Sequence, residues 1–101
     1  MITYDTATEL AAFFKMFSDE TRIRILSALH DSEMCVNELC QVLNMTKSAV
    51  SHQLNSLRRE HLVRFRREGR NLYYTLDDEH IKTVFETGLE HIRHTAHKDA
   101  K

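Results

Sequence analysis

The spacing of apolar residues changes several times along this 101-residue chain, and each change marks an element. Ala7, Leu10, Ala11, Phe14 and Phe17 recur every three or four positions, with Phe13 widening the stripe, so residues 7 to about 16 are predicted to form an amphipathic helix. Ile23, Ile25, Leu26 and Leu29 make a second helix apolar around much of its circumference. Ser18 is its expected cap, with Asp19 and Glu20 complementing the dipole in the first turn. After the polar break His30-Asp31-Ser32-Glu33, the residues Val36, Leu39, Cys40 and Leu43 give a short third helix. Asn44-Met45-Thr46 is a turn. Thr46 caps a fourth helix, over about 46–59, whose inward positions Val50, Leu54 and Leu57 fall at i, i+4 and i+7.

The outer face of that fourth helix carries Lys47, Ser48, Ser51, His52 and Asn55, which are mostly short, hydrogen-bonding side chains. A solvated helix face is ordinarily richer in Glu and Lys. Over about 62–76 the period becomes two: Val63 and Phe65 alternate with Arg64 and Arg66, Glu68-Gly69 interrupts, and Asn71-Leu72-Tyr73-Tyr74-Thr75 resumes β-prone residues. A β-hairpin with arginines on one side and at its tip is expected. Asp77 or Asp78 then caps a last helix, over about 78–95, with Ile81, Val84, Phe85, Gly88 and Ile92 as its seam.

Composition narrows the reading. With no proline and only Gly69 and Gly88, the chain favours helices joined by short turns. It has room for one domain, residues 1–101, and a domain this small gains from burying surface against a second copy. No run is long and apolar enough to span a membrane and the first residues do not read as a signal peptide, so a cytoplasmic location is expected. The net charge of −1 is unevenly distributed. Between Lys47 and Arg70 seven basic residues face two acidic ones, a net +5, whereas the remainder carries 7 basic and 13 acidic groups. A basic third in a near-neutral chain points to a polyanionic partner.

A short helix, a tight turn, a helix with a small polar outer face and a basic hairpin together make a winged helix-turn-helix. The expected architecture is mainly α with a small β-hairpin: about five helices and a two-stranded wing, assembled as a homodimer. The fourth helix enters the major groove of double-stranded DNA and the wing arginines reach phosphates or the minor groove. Thr46, Lys47, Ser48, Ser51, His52 and Gln53 on the helix and Arg64, Arg66, Arg67 and Arg70 on the wing are the candidate DNA-binding residues.

The runs from Phe17 to Leu26, from Lys47 to Leu54 and from Arg67 to Tyr74 resemble the ArsR/SmtB family of metal-sensing repressors, with a match over about residues 8–95. The resemblance implies a dimer built on the first and last helices. It also implies that the apo-protein represses a metal-export or resistance operon.

Histidine placement bears on the sensing. Of seven histidines, His80, His91, His94 and His97 fall in or just beyond the last helix, while His30 and His61 read as surface. His80 and His91 share a helix face but stand about 16 Å apart, too far for one ion with bonds of about 2 Å. Antiparallel pairing of the helix with its copy, about an axis near Phe85 and Glu86, brings Asp78 and His80 of one chain opposite His91 and His94 of the other, giving two equivalent sites per dimer. Three imidazoles and a carboxylate suit Zn(II) or Co(II) in tetrahedral geometry, with Cd(II) also possible. The arrangement is similar to the last-helix site of the zinc- and cobalt-responsive branch of the family, which implies release of DNA on metal binding. It further implies a tie from His91 to the main chain near His52. His97 has no counterpart in that pattern and is left to the tail.

Cys35 and Cys40 offer an alternative sensor of soft metals or oxidation. Thiol-using members of the family carry Cys-Val-Cys at the start of the third helix; here Asn37 stands in the second thiol position, and Cys40 is expected in the core. Catalysis is not expected. The chain has no Gly-rich phosphate loop or nucleophile elbow, no small-molecule substrate is indicated, and a four-ligand site leaves zinc no open position.

Overall fold

The burial pattern is set by three helices whose apolar rows face one another. In a computed structural model, which describes residues 1–99 and side chains as far as Thr95, the elements run α1 (Tyr4–Lys15), α2 (Glu20–Asp31), β1 (Met34–Cys35), α3 (Val36–Leu43), α4 (Lys47–Arg59), β2 (Val63–Glu68), β3 (Asn71–Leu76) and α5 (Glu79–Asp99). The tail histidine His97 has its side chain outside the described part. Ile25 and Leu26 of α2, Leu39 of α3, Val50, Leu54 and Leu57 of α4, and Leu62 just beyond it are all fully buried in one core. Tyr74 of β3 and Ile81 of α5 complete it from the other side.

Five helices and the wing correspond to the expected winged helix-turn-helix, with two differences in detail. The sheet has three strands in the order β1-β3-β2, because Met34 and Cys35 pair antiparallel with Tyr74 and Tyr73. Two residues carry too little alternation to show as a strand in the sequence. The second difference is at the start of α2. Asp19, not Ser18, is the cap: its carboxylate accepts from the Arg22 N–H at 3.0 Å, while the Ser18 hydroxyl donates back to the Lys15 carbonyl at 2.7 Å. Ser18 thus closes α1 instead. Arg22 joins it there, its Nε donating to the Met16 carbonyl at 3.1 Å and so occupying an acceptor that the helix end leaves open.

Each helix of the helix-turn-helix is followed by a left-handed residue. Asn44, at φ 53°, terminates α3 and sends the chain into the turn. Thr46 then caps α4 as expected, its hydroxyl accepting from the Ala49 N–H at 3.1 Å. At the far end His61 sits at φ 61°. Its N–H donates to the Arg58 carbonyl at 3.0 Å and the Leu62 N–H donates to Leu57 at 2.9 Å, a Schellman closure with histidine in the position usually held by glycine. The Leu62 carbonyl in turn accepts from the Asp77 N–H at 2.9 Å, so the end of α4 and the exit of the wing are fastened together.

A side chain with a Cβ at positive φ carries a strain that glycine does not. Replacing His61 with Gly is expected to raise stability by about 0.5–1 kcal/mol in chemical denaturation. A loss of stability would show that the imidazole makes a contact that outweighs the strain.

Candidate nucleic-acid interface and metal centre

Burial of Val50, Leu54 and Leu57 rotates α4 so that its other side faces out. Thr46, Lys47, Ser48 and His52 are exposed there, while Ser51 and Gln53 are half-buried at its margins. Among the described residues no carboxylate pairs with Lys47. The helix begins at Lys47 with no acid in its first turn, so the positive end of its dipole and the lysine charge add at the same edge.

The wing extends this surface. Its register places Arg64 opposite Thr75, Arg66 opposite Tyr73, and Glu68 opposite Asn71 on one face, with Phe65 against Tyr74 on the other. Gly69 turns the hairpin at φ 62°, a backbone conformation that suits glycine. Arg64, Arg67 and Arg70 are exposed and have no acidic partner among the described residues. Arg58, at the end of α4, lies over the Phe65 ring with its guanidinium carbon 5.0 Å from the centroid.

Arg66 is differently placed from the other wing arginines. Its Nε and Nη2 donate to the two oxygens of Glu33 at 2.9 and 2.7 Å, and its Nη1 donates to Glu68 at 2.8 Å. The Tyr73 ring covers one face of the guanidinium, 5.0 Å from centroid to carbon. The paired guanidinium holds the Glu33 carboxyl below its ordinary range, and the two carboxylates hold Arg66 more firmly protonated. Of the four candidate wing arginines, Arg66 is thus the one already paired with carboxylates.

The four candidate metal ligands lie at the two ends of α5. Asp78 caps the helix, one oxygen accepting from the Ile81 N–H at 3.1 Å and the other lying 3.4 Å from Nδ1 of His80. The Ile81 N–H, with His80 assisting, holds the Asp78 carboxyl below its ordinary range. Of the two caps expected, Asp77 and Asp78, it is Asp78 that makes the bond. His91 and His94, one turn apart, line a shallow hollow with Thr87 and Glu90. All four candidate ligands are exposed. Among the described residues of one protomer no three or more His, Cys, Asp or Glu side chains stand close enough to hold a metal ion. Neutral imidazoles paired with an ionised carboxylate are a donor set that fits a divalent ion of intermediate hardness, and each protomer presents half of it at each end of α5.

The two cysteines are placed differently about α3. Cys35 precedes its first turn, its N–H donating to Glu38 at 3.0 Å, and Cys40 packs half-buried against the core. Both are free thiols.

One functional contact escaped the sequence reading. His30, expected at the surface, is half-buried: its Nε2 lies 2.8 Å from Glu86 of α5 and its ring packs on Phe85, 5.4 Å between centroids. The Glu86 carboxylate, then Asp31, raises the His30 pKa above its ordinary 6.5. Glu86 is fifty-six residues distant in sequence, so no local spacing could reveal the pair.

The exposed helix in a helix-turn-helix, flanked by a basic wing, defines a DNA-binding regulator. The family model for the bacterial regulatory protein, arsR family, matches residues 19–64. The chain is 40% identical to a transcriptional repressor SmtB homolog from Synechocystis over 92% of its own length and 70% of that protein's. It is 35% identical to a cadmium resistance transcriptional regulatory protein CadC homolog from Staphylococcus aureus, covering 87% and 74% of the two chains. The chain belongs to the ArsR family of transcriptional regulators, and it is not an enzyme.

Solved structures agree on the architecture. The AntR antimony-specific transcriptional repressor superposes with a TM-score of 0.85 at 33% identity, covering 96% of this chain and 88% of that one. The homodimeric winged helix-turn-helix domain of Mb0332 from Mycobacterium bovis superposes with a TM-score of 0.82 at 24% identity, covering 92% and 88%, and bears on the fold alone.

The His30–Glu86 contact makes a signed prediction. A folded-state pKa above the unfolded value means that the pair stabilises fully below about pH 6.5 and that the charged part of this stabilisation fades as pH rises through the higher folded value. The melting temperature of wild type should therefore exceed that of His30→Gln by more at about pH 6 than at about pH 9. A gap that is constant, or that widens with pH, would sink this account.

Proposed function

We propose that this chain is a metal-responsive repressor that holds operator DNA as an apo homodimer and releases it when Zn(II), or Co(II), binds between the two copies of α5. The observation that carries the reading is the layout of α5. It presents Asp78 with His80 at one end and His91 with His94 at the other, all exposed, with Phe85 between the two pairs.

A second copy accounts for the apolar surface that one chain leaves open. Leu10 and Phe14 of α1 are 45% and 49% exposed and Ile92 of α5 is 67% exposed, which is costly for a monomer in water. Phe14 and Ile92 line a groove together with Phe17, Ile23, Val84 and Leu89. Antiparallel pairing of α5 with its copy covers this surface and brings the two half-sets of ligands together.

Thr46, Lys47, Ser48, Ser51, His52 and Gln53 then meet base edges and phosphates in the major groove, and Arg64, Arg67 and Arg70 reach the flanking backbone. A bound ion would supply a fixed tie across the dimer, holding the two α5 helices in one relative position. His91 would donate its second ring N–H to a main-chain acceptor near His52. Within one protomer the hollow beside His91 is lined by residues of α5 alone. Two recognition helices must sit about one DNA turn, roughly 34 Å, apart, and a dimer locked at another spacing loses that match.

The names of the relatives favour one second reading, a soft-ion or oxidation sensor at Cys35 and Cys40, since they include a cadmium resistance regulator and an antimony-specific repressor. The half-buried position of Cys40 against the core limits it as a ligand.

The two separate in a cobalt titration of the reduced protein. Histidine ligation gives intense tetrahedral d–d absorption at one ion per protomer, lost in His91→Ala, with zinc weakening the binding of a duplex enriched from random sequence by about 5- to 150-fold. Apo His91→Ala should bind that duplex as wild type does and ignore zinc. Because the imidazoles must be neutral, cobalt affinity should fall steeply below about pH 6.5. A strong thiolate charge-transfer band that survives in His91→Ala would instead move the sensor to the cysteines.

A further inference from the structure

Of the four wing arginines that the sequence places among the DNA contacts, Arg66 has the surroundings least suited to a phosphate. Arg66 spends Nε and one Nη on a side-on pair with Glu33 and the other Nη on Glu68, at 2.9, 2.7 and 2.8 Å, with one face of the guanidinium against Tyr73. Taken together the three groups carry a net −1, so the cluster repels an incoming phosphate more than it attracts one.

What the cluster joins is more informative than its charge. Glu33 directly precedes β1, whose Met34 and Cys35 pair with Tyr74 and Tyr73, and Cys35 directly precedes α3. Arg66 lies on β2, on the other side of β3. One guanidinium therefore spans β3 on its outer face, fastening the wing to the segment that leads into the helix-turn-helix. A planar fork makes this a directional restraint, which an ammonium could not reproduce.

We propose that Arg66 is a positioning residue for DNA binding: with Glu33 it sets the angle of the wing, and hence of Arg64, Arg67 and Arg70, relative to α4. This rests on the DNA-binding reading above. It assigns Glu33, a residue outside every candidate set, a part in DNA affinity.

The test turns on a difference of sign. Affinity of the full chain for the duplex enriched by wild type is followed by fluorescence anisotropy from about 50 to about 300 mM KCl. Glu33→Gln removes a negative charge from the neighbourhood of the wing. If Arg66 is a positioning residue, binding nevertheless weakens, by about tenfold, with the slope of log K against log salt unchanged. If Arg66 contacts phosphate, the same change frees it, binding tightens, and the slope steepens by about one. The exchange of partners, Glu33→Arg with Arg66→Glu, recovers most of the loss in the first case and deepens it in the second. Arg67→Ala calibrates a true phosphate contact by flattening the slope by about one. Thermal melts of each variant separate loss of affinity from loss of folding. Unchanged or tighter binding by folded Glu33→Gln overturns the proposal, whereas failure of the wild-type protein to enrich any duplex sinks the DNA-binding reading beneath it.

Discussion

Everything this chain presents to a partner depends on how α4 is rotated about its own axis. Three buried side chains, Val50, Leu54 and Leu57, set that rotation by packing against Ile25, Leu26 and Leu39. Burying each contributes roughly 1.5–3 kcal/mol, far more than any exposed contact on the opposite face could oppose. The polar row from Thr46 to His52 is outward because the apolar row is inward. The closures at Asn44 and His61 then fix where the helix begins and ends, and the bond from Asp77 to Leu62 carries that reference into the wing.

The same core is too small to cover every apolar residue in the chain. α1 has no buried residue at all; Phe13 packs on the core, followed by Met16 and Phe17 just beyond the helix. α5 is anchored near its start by Ile81 and along its side by Phe85 and the His30–Glu86 pair, after which its side chains are exposed from His91 to Thr95. These two helices are where a second copy has most to contribute. Under the proposed function the ligand pairs stand at the ends of the same surface, so assembly and ion binding would draw on one interface, and a change in its geometry would pass to α4 through the core that both helices touch.

The parts of the fold that were legible in the sequence are those in which short-range spacing and the core agree. The row Val50, Leu54, Leu57 announced α4, Thr46 announced its cap, and the alternation from Val63 to Arg66 announced the wing. What was not legible arises from partners distant in sequence. β1 exists because Tyr73 and Tyr74 offer it a neighbour, and His30 is half-covered because Glu86 and Phe85 arrive from α5. The Ser18 and Asp19 exchange is a smaller case: both can cap a helix, and the choice fell to which backbone group each could reach. Asp78, His80, His91 and His94 are grouped by their spacing in the sequence, and one protomer places them as two separate pairs at the ends of α5.

The wing illustrates how far charge counting carries. Four arginines on a hairpin predict attraction to a polyanion, and the sum is right in sign. The sum says nothing of which guanidinium is already satisfied. Arg64, Arg67 and Arg70 keep their charge available, whereas Arg66 exchanges it for three hydrogen bonds and a fixed position. Long-range attraction needs only the first kind of arginine, but a wing at a defined angle to the recognition helix needs the second. A hairpin built solely from unpaired arginines would bind nucleic acid with little regard to where its groove lies relative to α4, and the pairing with Glu33 supplies the geometry that the charges alone do not.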